Sequence, residues 1–322
     1  LCYAKKEMEN VLFEEKYIQR FLQDLKQNKL SHGYLIISPD RLFNEIVATQ
    51  MAAILLCKNK IGCETCEACQ KIEAKTHPDF LVFPENNNFL VDDAEVVVEK
   101  STQSPMLGDV KVFLIKDIDK ATIQAQNKIL KTLEEPTKST IFILTATNES
   151  KVLPTVISRM RREYLTPLDQ DKVKTIIKNP SKIYASLFGE KHNYIGNEFS
   201  EAIVYGEGWV GKTLQILQNT SFKDERKLAQ SILENLSSSK QLSSFSAAIL
   251  ALKDNLGGFL LVLENEFRKM LSSLNEETKQ CGIEIIEAIN NCSLELERNV
   301  SPALAVDNLL MRILEIKYNY KV

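Results

Sequence analysis

Four cysteines, Cys57, Cys63, Cys66 and Cys69, fall within thirteen residues of one another. Thiolates are soft donors that Zn²⁺ holds in a tetrahedron, and two-residue gaps let one tight turn present successive sulfurs to a single ion. Disulfide or redox pairing is the competing chemistry. Only Cys2, Cys281 and Cys292 remain elsewhere, the total of 7 is odd, and no apolar signal peptide precedes them, so metal is the expected occupant. Four sulfurs leave no open coordination position for water or substrate, which makes the expected zinc structural and not catalytic. A second string, Gly206-Glu207-Gly208-Trp209-Val210-Gly211-Lys212-Thr213, matches the phosphate-loop pattern letter for letter. Such a loop must follow a buried strand and open a helix within a βαβ unit. Phe199 to Tyr205 is too polar and short for a central strand, and Ser200-Glu201-Ala202 reads as a helix start, so this string is not expected to bind phosphate.

The elements that must position these residues follow from the hydrophobic pattern. Up to about residue 168, short apolar runs alternate with helical stretches, the signature of βαβ units and a parallel sheet. Four runs, at Tyr34–Ile37, Phe80–Phe83, Val112–Ile115 and Ile141–Leu144, show little alternation, as strands buried on both faces do. Helices are expected from about Phe43 to Leu56, Ala94 to Gln103 and Ile123 to Leu133, with Asp92 or Asp93 and Thr122 as N-caps and Pro136 as a stop. After Pro167 the strand signal disappears and helical periodicity takes over, as in Leu260, Leu261, Leu263, Phe267, Met270 and Leu271. Breaks at Gly206, Gly208 and Gly211 divide a small helical unit from a longer one. Ser237-Ser238-Ser239 and Ser243-Ser244 read as inter-helix loops.

The 322 residues suit two or three domains with ordinary cores. A formal charge of −3 and a pI near 5.9 argue against a surface coated with phosphate contacts, so nucleic acid would be met only locally. The longest apolar runs, such as Ala52 to Cys57 and Phe259 to Leu263, fall well short of the ~20 residues a bilayer span requires. The expectation is a soluble, cytoplasmic protein with no membrane partner. Met8 is a plausible native start, with Leu1 to Glu7 outside the reading frame.

The residues also resemble a known family. The cysteine cluster after the first helix, Thr76-His77-Pro78-Asp79 beyond it, the string from Asn127 through Leu130-Lys131-Thr132-Leu133-Glu134-Glu135-Pro136, and Ser158-Arg159 after the last strand look like a bacterial DNA polymerase III clamp-loader subunit, most narrowly of the delta-prime type. The resemblance runs in order from about Leu30 to Leu168 and continues more weakly beyond. It implies an AAA+-type α/β domain over residues 1–168 with a zinc module at about 57–77, a helical lid over 169–212, and an all-α collar over 213–322 that assembles subunits into a ring.

In active members of that family a glycine-rich loop and a lysine cradle the phosphates. The corresponding Ser38-Pro39-Asp40-Arg41-Leu42-Phe43-Asn44-Glu45 has no glycine, Asn44 at the lysine position, and an acid where Mg²⁺ would want a hydroxyl. Lys116-Asp117 stands where an ATPase carries Asp-Glu. Asp117 is expected to serve as a turn residue or helix contact. Thr145-Ala146-Thr147-Asn148 resembles the polar sensor, and Gly208-Trp209-Val210-Gly211 falls where a second sensor would supply an arginine. ATP binding by this chain is therefore not expected.

What the family pattern keeps is Ser158-Arg159, followed by Met160 in place of the usual cysteine. The resemblance implies that Arg159 reaches across a subunit interface to a neighbour's ATP, a contribution worth roughly 10³ to 10⁵ in rate in GTPase systems. Arg161 and Arg162 are the competing candidates. The expected function is a non-ATPase, stator-like clamp-loader subunit that supplies an arginine finger in trans. Its partners would be the ATPase subunits and the delta subunit, with the sliding clamp and primed DNA met through the assembled complex. Two rivals remain: a motor ATPase of the gamma/tau kind using Gly206 to Thr213, and a stand-alone zinc DNA-binding protein.

Overall fold

A computed structural model describes residues 11–85, 88–189, 197–218, 222–252, 255–271, 276–298 and 300–320. Cys2, Met8 and the stretch Leu1 to Glu7 lie outside them. The chain divides into two compact units, Leu1–Leu214 and Gln215–Val322.

The first unit is built on five parallel strands: β1 (Gly33–Ile37), β2 (Phe80–Phe83), β3 (Lys111–Ile115), β4 (Thr140–Ala146) and β5 (Arg161–Tyr164), in the order β2-β3-β4-β1-β5. Every residue of β1, β3 and β4 is buried, whereas the edge strands β2 and β5 are only partly so. The near-continuous Val, Ile, Leu and Phe of the central strands is what burial on both faces demands. Phe113 and Phe142 stack at 5.2 Å between ring centroids on neighbouring strands. The helices are α1 (Lys16–Lys26), α2 (Arg41–Leu56), α3 (Glu67–Glu73), α4 (Val91–Ser101), α5 (Ile123–Glu134), α6 (Pro154–Ile157), α7 (Gln170–Lys178), α8 (Asn197–Tyr205) and the first part of α9 (Val210–Gln218).

The Thr122 cap is present, its hydroxyl accepting from Ala125 N–H at 3.2 Å. The other expected cap is corrected. α4 starts at Val91, three residues earlier than its apolar spacing indicated. Asp93 sits inside the first turn and reaches back to accept from Leu90 N–H at 2.9 Å. A carboxylate at that position relieves an orphan donor and complements the helix dipole.

β5 is a strand the apolar pattern did not disclose, because its residues are Arg161, Arg162, Glu163 and Tyr164. Charge is tolerated at this edge because it is paired. Glu163, 6% exposed, accepts from Arg20 and from Arg161 Nε, each at 3.1 Å. Arg161 also pairs with Asp24. Burial pushes the Glu163 carboxyl above its ordinary range, and Arg20 and Arg161 act against that shift.

The second unit is helical. It contains the end of α9, then α10 (Phe222–Asn235), α11 (Ser239–Leu250), α12 (Leu256–Leu271), α13 (Glu276–Glu297) and α14 (Pro302–Tyr320). α12 packs against α10 and α13, and α14 against α11 and α13. The stripe on α12 buries Leu260, Leu263 and Phe267, with Leu261 half-buried; the side chains of Met270 and Leu271 lie outside the described set. The serine runs are corrected as well. Only Ser237 and Ser238 are loop, while Ser239, Ser243 and Ser244 belong to α11. Gln241 Oε1 accepts from Ser237 N–H at 3.0 Å and Ser238 N–H at 3.2 Å, which starts the helix where serines alone suggested a linker.

Candidate functional site

Cys57 is the residue at which α2 ends, and Cys66 is the one from which α3 begins. The turn between them uses left-handed backbone at Lys60, Gly62 and Glu64, which folds Cys63 back beneath Cys57. The four Sγ atoms lie within 4.8 Å of one another, and Cys57 and Cys66 are 3.9 Å apart. A tetrahedral ion with metal–sulfur bonds of ~2.3 Å needs sulfurs about 3.8 Å apart, so the set fits a metal. Backbone N–H groups of Asn59 and Cys63 each donate to Cys57 Sγ at 3.4 Å, and Thr65 Oγ1 donates to Cys63 Sγ at 3.4 Å. Such donors stabilise thiolate charge. A hydrogen bond from the Cys69 thiol holds the Cys57 thiol down to about 3 and pushes Cys69 itself up. All four cysteines are free, as are the buried Cys281 and Cys292 of the helical unit.

The segment Ser38 to Glu45 closes on itself. Asn44 is 1% exposed; its Nδ2 donates to Ser38 O at 3.1 Å and Ala146 O at 3.0 Å, and its Oδ1 accepts from Ser38 Oγ at 2.7 Å. Phe43 is fully buried and meets Trp209 edge-to-face at 6.1 Å. Asp40 caps α2, its Oδ1 accepting from Phe43 N–H at 3.0 Å. Its Oδ2 accepts from Gly211 N–H at 2.6 Å and Lys212 N–H at 3.4 Å. Burial pushes the Asp40 carboxyl up, and the four backbone donors at Phe43, Gly211, Lys212 and Leu42 oppose it.

Asp117 occupies a left-handed turn at φ 49° and pairs with Arg41 at 2.5 Å and Lys120 at 3.6 Å, while its N–H donates to Thr145 Oγ1 at 3.0 Å. Asp119 Oδ2 accepts from Thr147 N–H and Oγ1 and from Asn148 N–H. Asp117 and Asp119 thus engage Thr145, Thr147 and Asn148 within the fold.

The Gly206 to Thr213 string joins α8 to α9, so a helix precedes it and no strand does. Thr213 is fully buried and its hydroxyl donates to Trp209 O at 2.7 Å, while Lys212 pairs with Glu207 at 3.6 Å. Gly208 adopts φ +84° with its backbone against Leu168, where a Cβ would come within 2.4 Å of the Leu168 carbonyl. Its letters thus answer to helix packing.

The three arginines separate cleanly. Arg161 is held by Asp24 and Glu163 beneath the sheet edge, 6.0 Å from the Tyr34 ring. Arg162 pairs with Glu149 at 3.1 Å, which also accepts from Tyr164 Oη at 2.5 Å. Arg159 lies between α6 and β5, paired with Glu134 at the end of α5, bonded to Thr155 O, and 3.2 Å from Ser158 Oγ. Ser158 Oγ in turn donates to Thr155 O at 3.1 Å. Met160 is buried against Gly33 and anchors the segment from the other side. Sequence reasoning missed the roles of Asp40 and Glu134. Asp40 was discoverable as an Asp after a proline and before an apolar helix; the Arg159–Glu134 pairing spans 25 positions and leaves no local trace.

Residues 13–169 match the family described as DNA polymerase III, delta subunit. The DNA polymerase III subunit delta' of Pseudomonas aeruginosa is 36% identical over 135 residues, covering 40% of this chain and 41% of that protein. The subunit delta' of Escherichia coli is 35% identical over 142 residues, covering 42% of each. The tau/gamma subunit of Haemophilus influenzae is 28% identical over 174 residues, 53% of this chain and 25% of that protein. The chain thus spans less than half the length of these curated relatives. Residues 13–169 are thus similar to the DNA polymerase III delta-subunit family and, within it, to subunits named delta'.

Proposed function

We propose that the chain is a stator-like, delta-prime-type clamp-loader subunit that binds no nucleotide of its own and presents Arg159 to the ATP of a neighbouring ATPase subunit. The observation that carries this reading is the self-filled phosphate segment. Asp40, Phe43 and Asn44 occupy with their own side chains the place where a nucleotide-binding member offers glycine, lysine and open backbone donors. Arg159 is the arginine of the three that stands apart from the sheet-edge network, on a short segment fixed by Ser158, Thr155 and Met160. A guanidinium so mounted can offer a planar fork to phosphate oxygens. Ser158 would orient it, and Glu134 would hold it until a phosphate competes.

The four cysteines would bind one structural Zn²⁺ and staple residues 57–77. The helices from Gln215 on would form the collar contact with the ATPase and delta subunits, and the sliding clamp and primed DNA would be met through the complex. The motor-ATPase alternative draws support from the tau/gamma relative, but it would have to use a string whose threonine and lysine are already engaged within the fold.

Reconstitution of the complex with Arg159→Ala tests the reading. DNA-stimulated ATP hydrolysis should fall by roughly 10² or more, in line with the loss of a trans arginine, and the isolated wild-type chain should show no heat on titration with ATP and Mg²⁺. Unchanged turnover would leave a purely architectural subunit.

A further inference from the structure

The Asp40 carboxylate lies where two helix N-termini converge. One oxygen takes the Phe43 N–H of α2, and the other takes the Gly211 and Lys212 N–H groups of α9, from a part of the chain about 170 residues away. Both termini present unsatisfied donors and the positive end of a helix dipole, which is the arrangement that holds phosphate in other proteins. The carboxylate is 4% exposed and is therefore a buried anion whose compensation comes from these backbone groups. Gly211 is shaped for it, since a Cβ there would come within 2.2 Å of Asp40 Oδ1. Phe43 and Trp209 close the apolar side of the same junction.

We propose that Asp40 is a built-in anion that latches the start of α9 onto the start of α2. It substitutes for an exchangeable oxyanion and fixes the helices of residues 197–214 against the sheet domain. The same contact that denies the locus to phosphate is the one that holds these elements together. This inference does not depend on the chain's place in a replication complex.

Two variants of the full chain separate the latch from the helix cap. Asp40→Ser keeps a good N-cap for α2 but is neutral and too short to reach Gly211 and Lys212. Hydrogen exchange across residues 206–214 should quicken by about tenfold or more, with the 41–56 helix little changed, since exchange reads local opening. Inorganic sulfate should restore protection at 206–214 in Asp40→Ser, sodium chloride at equal ionic strength should not, and the wild type should be indifferent to both. Gly211→Ala, which displaces the carboxylate without removing it, should show the same quickening without rescue by sulfate. Wild-type exchange at 206–214 in both variants would overturn the latch, and so would a rescue by chloride equal to that by sulfate.

Discussion

Arg159 is half-buried and its partner Glu134 exposed, so their mutual attraction is screened by solvent on one side, adds little to stability and can be exchanged for a stronger anion. Glu134→Gln is expected to change the thermal midpoint by no more than the equivalent of about 1 kcal/mol. Glu163 is the opposite case. It is buried with Arg20 and Arg161 sharing its oxygens; its removal breaks both pairs, although Arg161 keeps Asp24 and Arg20 reaches solvent, so Glu163→Ala should cost about 1 to 3 kcal/mol by urea unfolding. Cys66→Ser should lose the bound metal in elemental analysis of protein purified under reducing, metal-replete conditions, where the wild type should carry one ion per chain. Of these residues the clustering of the four cysteines was legible from spacing alone, because it is a local property of one turn. The separate pairings of Arg159, Arg161 and Arg162 were not. They depend on Glu134, Asp24 and Glu149, whose proximity only the fold creates.

At the scale of elements, the four strands written in Val, Ile, Leu and Phe were readable because burial on both faces leaves no polar positions. β5 was hidden for the converse reason: at a sheet edge, ion pairing replaces apolar burial, and Arg-Arg-Glu-Tyr carries no hydrophobic signal. The Gly208 turn makes a direct prediction. Gly208→Ala meets both a positive φ and the Leu168 carbonyl, so a loss of about 1 to 3 kcal/mol is expected in denaturant titration. In the helical unit, Cys292 lies buried between α13 and α14, its Sγ 3.5 Å from Ala305 O, and burial pushes its thiol up to about 11. The native thiol therefore holds its proton to a higher pH than the unfolded one. Its stabilising effect is complete below the unfolded value of 9.0 and is lost as pH rises from there through about 11. The fall should amount to about 2 to 3 kcal/mol at full ionisation, and Cys292→Ala, whatever its own packing cost, should flatten this limb of the stability–pH curve.

For the whole molecule, the division at Leu214 and Gln215 places the cysteine turn, the closed segment Ser38 to Glu45 and Arg159 in one unit, leaving the other a bundle of helices. Among the described residues no helix is long and apolar enough to cross a membrane. Treatment with a metal chelator should loosen residues 57–77 to hydrogen exchange without unfolding the sheet, whose core is large enough to persist unaided. One helix relates these sites by distance. α2 starts from Asp40 and stops at Cys57, so its 16 residues form a strut about 24 Å long, with the acid at one end and the sulfur cluster at the other. Cobalt placed among the four thiolates would give the molecule a coloured gauge at the far end of that strut, in which strain introduced at residue 40 could be read as a change of absorption.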